Sequence, residues 1–346
     1  MKANTFYPLT NCSTFSVLIF FILGSALLFS CGEEDQSISK NRITFDHLVS
    51  DQPIDVIIKT DLDRLFSKSE TEEETFIKAK YAFEKEGVTI HKGKGKVRKR
   101  GITRKKICEF PPTMLKIGKG KSKLKLKIVA PCHQGDDFQQ LVFREYLTYR
   151  LYSELTDYSF RTQLVNITYQ DKNDEDKKME MMGFVIEDDE HVANRMASEL
   201  MRPHEKLKFI DQDRYRLFTM FQYCVGNTDW NLKKRHNIKL ICKKDSKTPV
   251  PVPYDFDYAG LVNAPYAIPH PKLPIKTVRD RYFMWRGKNR KGFGRVLKIF
   301  KQKREGLFAI IKEFDYLKST HKKDMLQYLE GFYHNIQDGS SPVAQG

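Results

Sequence analysis

At 346 residues with 40% apolar side chains, the chain has an ordinary globular composition and enough core for one large domain or two modest ones. The formal net charge of +16 invites a nucleic-acid partner, but the excess is concentrated in residues 92–127, which hold fifteen Lys/Arg, one acid (Glu109) and one aromatic (Phe110). A nucleic-acid binder pairs its cations with stacking rings or a recognition helix, so that class is set aside in favour of a solvated basic β-surface suited to an anionic lipid, glycan or phosphorylated ligand.

Near the N-terminus, residues 15–29 are apolar except for Ser16, Gly24 and Ser25. Fifteen residues at about 1.5 Å rise fall short of a hydrocarbon core of roughly 30 Å, so the stretch reads as the h-region of an export signal rather than a permanent span. Leu28-Phe29-Ser30-Cys31 resembles a bacterial lipobox, which implies cleavage after residue 30 and acylation (palmitate) of Cys31. Residues 1–30 are then a lipoprotein signal peptide and residues 31–52 the lipidated cysteine with a flexible tether. The expected location is the bacterial cell envelope, outside the cytoplasm, with the membrane, expected to be the outer one, contacted through the lipid anchor. In that oxidising compartment Cys108 can pair with Cys132, or Cys224 with Cys242, with buried free thiols as the alternative. No Cys-x-x-Cys occurs, and His133 and His236 lack zinc-site spacing, so no structural metal is expected.

Residues 53–187 read as a β-rich half. A strand over 54–59 is followed by residues 62–66 and an acidic run at 70–74 that borders a helix extending to Phe83, ended by Gly87. Strand-like pieces follow at 88–91, 95–101, 103–108 and 114–117. Residues 123–129 alternate strictly, placing Leu124, Leu126 and Ile128 on one face and Lys123, Lys125 and Lys127 on the other. Gly120-Lys121-Ser122 matches the end of a phosphate-binding loop, but Leu115 stands where the first glycine is needed and a strand follows, so that motif is rejected. Residues 136–155 form an amphipathic helix with Glu145 at the edge of its buried face. Strands at 159–169 and 181–187 enclose a charged hairpin.

After Glu187 the pattern turns helical, with periodic segments at 191–201, 211–225, 292–301, 307–317 and 322–336, and a frayed tail over 338–346. Gly226-Asn227-Thr228-Asp229-Trp230, running on to His236-Asn237, lies between the helix at 211–225 and an apolar strand at 238–242. Pro253-Tyr254-Asp255-Phe256-Asp257-Tyr258-Ala259-Gly260 ends another short strand. Two such loops meeting across a hairpin offer the clustered hard oxygens that Mg²⁺ and nucleotide phosphates require. Asn-Thr-Asp is also turn chemistry, which makes a loop-capping carboxylate the bland reading of Asp229. Arg279, Arg281 and Arg286 either meet an anionic substrate or line an amphipathic surface helix.

Layout and motifs together resemble the atypical protein-kinase-like superfamily, and within it exported lipoproteins akin to CotH-type spore-coat kinases. Gly226-Asn227-Thr228-Asp229 is similar to the Gly-Asn-x-Asp catalytic loop of the secretory-pathway casein kinase. Tyr254-Asp255 followed by Phe256 resembles the metal-binding Asp of HipA-type kinases, and Arg100-Gly101 with Lys105-Lys106 is similar to the Arg-Gly stretch of CotH N-lobes. The resemblance covers residues 54–336. It implies a two-lobed α+β protein-kinase-like fold: a β-rich N-lobe over 53–187 with one embedded helix, and an α-rich C-lobe over 188–337 holding the acidic loops.

The same resemblance implies roles. Asp229 orients or deprotonates the attacking hydroxyl, Asn237 completes the metal site, and Asp255 holds Mg²⁺ (or Mn²⁺) against the phosphates of ATP, with Asp257 a second candidate. Lys127 grips phosphate oxygens and pairs with Glu145, while Glu187, at the hinge, borders the nucleotide. Lys125 and Asn231 stay open as alternatives to Lys127 and Asn237. Trp230 stands where the casein kinase has Arg, Asp257 stands at the glycine position of a DFG, and Gly93, Gly95 and Gly101 are what remains to build a nucleotide-covering loop. The implied activity is ATP- and Mg²⁺-dependent phosphoryl transfer to a protein or other hydroxyl acceptor, a chemistry of positioning and charge neutralisation. Two other readings stay open: a pseudokinase-type nucleotide-binding scaffold without turnover, and a basic surface- or glycan-binding lipoprotein.

Overall fold

A computed structural model describes residues 43–67, 75–101, 103–120, 123–202, 204–244, 246, 248–287 and 290–337. The expected export signal, Cys31, most of the expected tether, the acidic run at 70–74 and residues 338–346 lie outside the described residues. Among the described residues no helix is long and apolar enough to cross a membrane.

The N-terminal part is a closed barrel. Its strands are β1 (Ile54–Thr60), β2 (Ile77–Lys85), β3 (Val88–Lys99), β4 (Thr113–Ile117), β5 (Leu124–Val129), β6 (Thr162–Asp171) and β7 (Lys178–Ile186), in the order β1-β2-β3-β4-β5-β7-β6. Closure is made by the one parallel pair, β1 with β6. Alternation along each strand sends one side chain in two inward, so Val56, Phe83, Val97, Leu115, Leu126, Ile167 and Val185 fill the interior. The leucine face expected for β5 is buried as the alternation requires.

The helix expected up to Phe83 is a strand. Ile77, Ala79, Tyr81 and Phe83 are buried, while Lys78 and Lys80 between them are exposed, a period of two that overrides the acidic lead-in. Gly87 ends no helix: Glu86 (φ 50°) and Gly87 (φ 78°) are both left-handed, the geometry of a two-residue primed hairpin turn between β2 and β3. The strand pieces at 88–91 and 95–101 merge into β3. Gly93 and Gly95 sit within it against Tyr81, where a Cβ on Gly95 would come within 2.8 Å of the Lys116 carbonyl oxygen. Residues 103–108, expected as a strand, contain the short helix α2 (Arg104–Ile107), which follows α1 (Leu62–Phe66) in chain order. Cys108 at its end is disulfide-bonded to Cys132, and Cys224 and Cys242 are free.

Helix α3 (Asp136–Leu155) lies between the barrel and the rest of the chain, with Tyr146 and Tyr149 against Phe184 of β7, Tyr149 against Phe256 and Tyr152 against Phe221. Beyond Glu187 come α4 (Asp189–Arg195), β8 (Ser198–Leu200), α5 (Gln212–Cys224), β9 (Ile238–Lys243), β10 (Val250–Pro253), α6 (Phe293–Lys312) and α7 (Ser319–Gln337). The helix expected over 191–201 stops at Arg195, because Ala197 is left-handed (φ 48°) and β8 joins β9 and β10 in a three-stranded sheet. The two helices expected at 292–301 and 307–317 are one, running through Gly306. The fold is mixed α+β, with a sheet-rich N-terminal part and a helical C-terminal part.

Candidate functional site

The two polar loops are laid side by side by their glycines. Gly226 follows α5 at φ 66°, and a Cβ there would fall 2.0 Å from Tyr328 Oη of α7. Gly260 N–H donates to the Gly226 carbonyl at 3.1 Å, and Leu261 N–H to that of Val225 at 2.9 Å. Neither contact leaves room for a side chain at Gly226.

Within the first loop, buried Asn227 donates to Gln222 Oε1 at 3.1 Å and accepts from the Asp229 N–H at 3.0 Å, which fixes the backbone under Asp229. Trp230 turns inward and packs edge-on against Phe218, with ring centroids 4.9 Å apart. The half-exposed Asp229 carboxylate accepts from Asn237 Nδ2 at 2.9 Å and lies 3.0 Å from His236 Nε2. Asn237 (φ 54°) also donates to the Asp229 carbonyl and accepts from the Tyr254 N–H at 3.1 Å, so it ties the two loops together. Asn231 instead accepts from the Lys234 N–H at 2.9 Å within its own turn. Of the two asparagines, Asn237 is the one beside Asp229.

The second loop is held by α3. Asp255, left-handed at φ 65°, donates its N–H to Tyr149 Oη at 2.7 Å. Asp257 is 5% exposed and accepts from Tyr266 Oη at 3.3 Å. Burial first, and then the charge of Asp255, push its carboxyl upward against the pull of Arg104. Glu145, 2% exposed, is likewise pushed up by burial and by Asp257 and Asp255, with Arg104 opposing.

Glu145 does not pair with Lys127. Its partner is Arg104, 7% exposed, which donates from Nη1 to Glu145 Oε2 at 3.3 Å and from Nη2 to the Ala130 carbonyl at 2.9 Å. The helical turn of α2 and the Cys108–Cys132 bond bring this arginine against the middle of α3, a placement hidden when residues 103–108 are read as a strand. Glu145 Oε1 and Arg104 Nε are buried without a hydrogen-bond partner, at the wall of a small cavity also lined by Asp257 and Tyr266.

Lys127 turns instead onto Asp189 at the start of α4, with its ammonium 5.0 Å from the ring centroids of both Phe160 and Tyr254. Lys239 of β9 reaches the same carboxylate at 2.8 Å. Burial opposes ionisation of Asp189, yet the two lysines bring it down to about 2. The Arg100 guanidinium acts through its charge on Lys127, Lys239 and Glu145, so the Arg100-Gly101 turn borders the same space. Lys125 stays on the barrel surface, its N–H bonded to Asp188.

Glu187 is fully buried and fully engaged: it accepts from Arg161 N–H, Nε and Nη2 and from Arg195 Nε and Nη2, and lies 2.6 Å from His191 Nδ1. Its geometry is that of a clamp joining β6, β7 and α4, not that of a nucleotide contact. Arg279 and Arg281 lie on no helix; they stack on the Tyr328 ring at 4.4 and 3.8 Å, and Arg279 pairs with Asp324 at 2.9 Å.

Among the described residues no three His, Cys, Asp or Glu side chains form a ready-made metal cage. Mg²⁺ needs none, since one or two carboxylates and the phosphates of its nucleotide suffice. A buried carboxyl pushed upward by the charge of a neighbouring one, as Asp257 is by Asp255, belongs to a donor set that a divalent cation would relieve, and Asn237 adds a neutral oxygen.

No protein-family model matches the chain, and no curated protein sequence matches it. Among solved structures it is similar to the Helicobacter pylori proinflammatory kinase CtkA, at 13% identity over 71% of this chain and 94% of that one, with a TM-score of 0.40. It is also similar to the Golgi casein kinase, at 8% identity over 68% of this chain and 72% of that one, with a TM-score of 0.35.

Proposed function

We propose that the acidic loops and the lysines beside them form an ATP- and Mg²⁺- or Mn²⁺-dependent phosphotransferase site acting on a protein or other hydroxyl acceptor. The observation that carries this is the juxtaposition of Asp229, Asn237, Asp255 and Asp257 with Lys127, Lys239 and Arg100, both signs of charge around one space. Asp255, Asp257 and Asn237 would hold the metal, which neutralises phosphate charge. Lys127, released from Asp189, and Lys239 would take phosphate oxygens. Asp229, aimed by Asn227 and Asn237, would accept the proton of the acceptor hydroxyl as its oxygen bonds to the γ-phosphorus and the bond from that phosphorus to the ADP oxygen breaks. In this reading the protein is exported and held on the bacterial envelope by acylated Cys31.

A thermal-shift titration with ATP, with and without Mg²⁺ or Mn²⁺, tests the site. A ligand at 100 times its Kd adds about 2.7 kcal/mol of stability, so a metal-dependent rise is expected. Asp255→Ala should abolish it without unfolding the protein, and Asp229→Ala should keep it while losing transfer; equal transfer by Asp229→Ala removes that residue from catalysis. A second reading, nucleotide binding without turnover, is favoured by the occupation of Glu145 by Arg104 and of Lys127 by Asp189. It predicts the same shift with no ATP consumed in the presence of any acceptor.

A further inference from the structure

The strand registers place lysines directly opposite one another across the barrel. Lys78 of β2 faces Lys96 of β3, Lys96 faces Lys116 of β4, and Lys116 faces Lys125 of β5. One step along, Lys80 of β2 lies between Lys59 of β1 and Lys94 of β3, and Lys92 stands two residues beyond Lys94. Directly opposed residues share a face, so these eight lysines form one outward array. Neighbours sit about 4.8 Å apart across strands and about 6.8 Å apart along them. Lys78, Lys80, Lys92, Lys94 and Lys96 are exposed, and none of them has an acidic partner among the described residues. Lys59 is paired with Glu175 at 2.6 Å, and Lys125, at the far edge of the array, lies beside Asp188.

Like charges opposed across strands destabilise a sheet, so folding does not account for this arrangement. We propose that the β2–β5 face is a docking surface for an anionic lipid bilayer. Three features select a bilayer over other polyanions. The charges spread in two dimensions across adjacent strands, where a peptide or a nucleic-acid strand is linear. They are lysines, strongly hydrated point charges on flexible stems, which suit a fluid array of headgroups rather than fixed bidentate geometry. The ring beside them, Phe76, lies under Arg98 and Lys116 at 5.0 and 5.5 Å and so is not free to stack on a base. The array does not depend on the chemistry of the acidic loops, nor on acylation.

The test is co-sedimentation of the full chain carrying Cys31→Ser with vesicles of phosphatidylcholine alone, or of phosphatidylcholine mixed with phosphatidylglycerol, at low and high salt. The first vesicles report whatever the apolar residues 15–29 contribute. A surplus on the anionic vesicles that salt removes is expected, and at about fivefold per lysine the variant K78Q/K96Q/K116Q should lose on the order of a hundredfold in partitioning. Lys96→Glu, placed between two lysines, should lose binding while raising the melting temperature, which separates a binding role from a folding one. Equal binding to both vesicle types, or a surplus retained by the triple variant, overturns the proposal. Tighter binding to soluble polyglutamate than to anionic vesicles of equal charge, lost in the triple variant, overturns it in favour of an acidic polypeptide partner.

Discussion

Arg104 and Glu145 are buried together, so each is costly without the other. Removing one member of such a pair leaves an unpaired charge and typically costs about 3–5 kcal/mol. Arg104→Ala should therefore destabilise the protein by that order, and the loss should depend on pH. Glu145 is already pushed upward by burial, and without Arg104 its folded value rises further above the unfolded one. The folded state then binds the extra proton, so stability falls as pH rises past the ordinary carboxyl range. The parent already loses stability as pH rises toward about 8, and the variant goes on losing it beyond, so denaturant melts of both at pH 6 and pH 9 should show the larger deficit at pH 9; equal deficits mean that Glu145 is not the group left uncompensated. Glu145 was legible in the sequence as a carboxylate at the rim of a buried helix face. Its partner was not, because a four-residue helix leaves no periodicity to read and the contact spans 41 positions.

The elements around the site were legible to the degree that their periodicity was long. Twenty residues of 3.6-period pattern marked α3 to the residue, and strict alternation marked β5. β2 was missed because the acidic lead-in resembled a helix start, although its own alternation was present. The loops could be recognised as polar turns, but their contact depends on α7, some 70 to 100 residues further on. That contact has a measurable requirement. Gly226→Ala adds a Cβ 2.0 Å from Tyr328 Oη at a left-handed residue, and should cost about 3 kcal/mol in strain and overpacking. A thermal melt of Gly226→Ala/Tyr328→Phe should recover part of that loss, since the hydroxyl is the nearest obstacle. The Cys108–Cys132 bond just after α2 is a second case: closing a loop of 24 residues is worth about 3 kcal/mol. Dithiothreitol should lower the melting temperature of the native chain but leave that of Cys108→Ser unchanged.

Across the whole molecule, the barrel meets the helical part at Glu187. Burial would raise this carboxyl, but His191, Arg195 and Arg161 hold it at about 2, against an ordinary 4.5. The difference amounts to about 3 kcal/mol, fully present above pH 4.5 and lost as pH falls toward 2. His191 is raised above 6.5, first by its bond to Glu187, so its share is full below 6.5 and fades as pH rises through the higher folded value. The two together predict a stability plateau between about pH 4.5 and 6.5. Glu187→Gln should flatten both flanks in a pH series of melts. A profile unchanged by that substitution would falsify the clamp.

The wall against which both acidic loops are set, Tyr328, belongs to the last helix of the chain. A polypeptide made from its N-terminus therefore finishes the barrel, α3 and both loops before the residue that locks them has emerged. Maturation is thus ordered in time: the acidic centre is assembled last, and a chain interrupted anywhere before residue 328 carries all of its charged side chains with nothing to hold them in register.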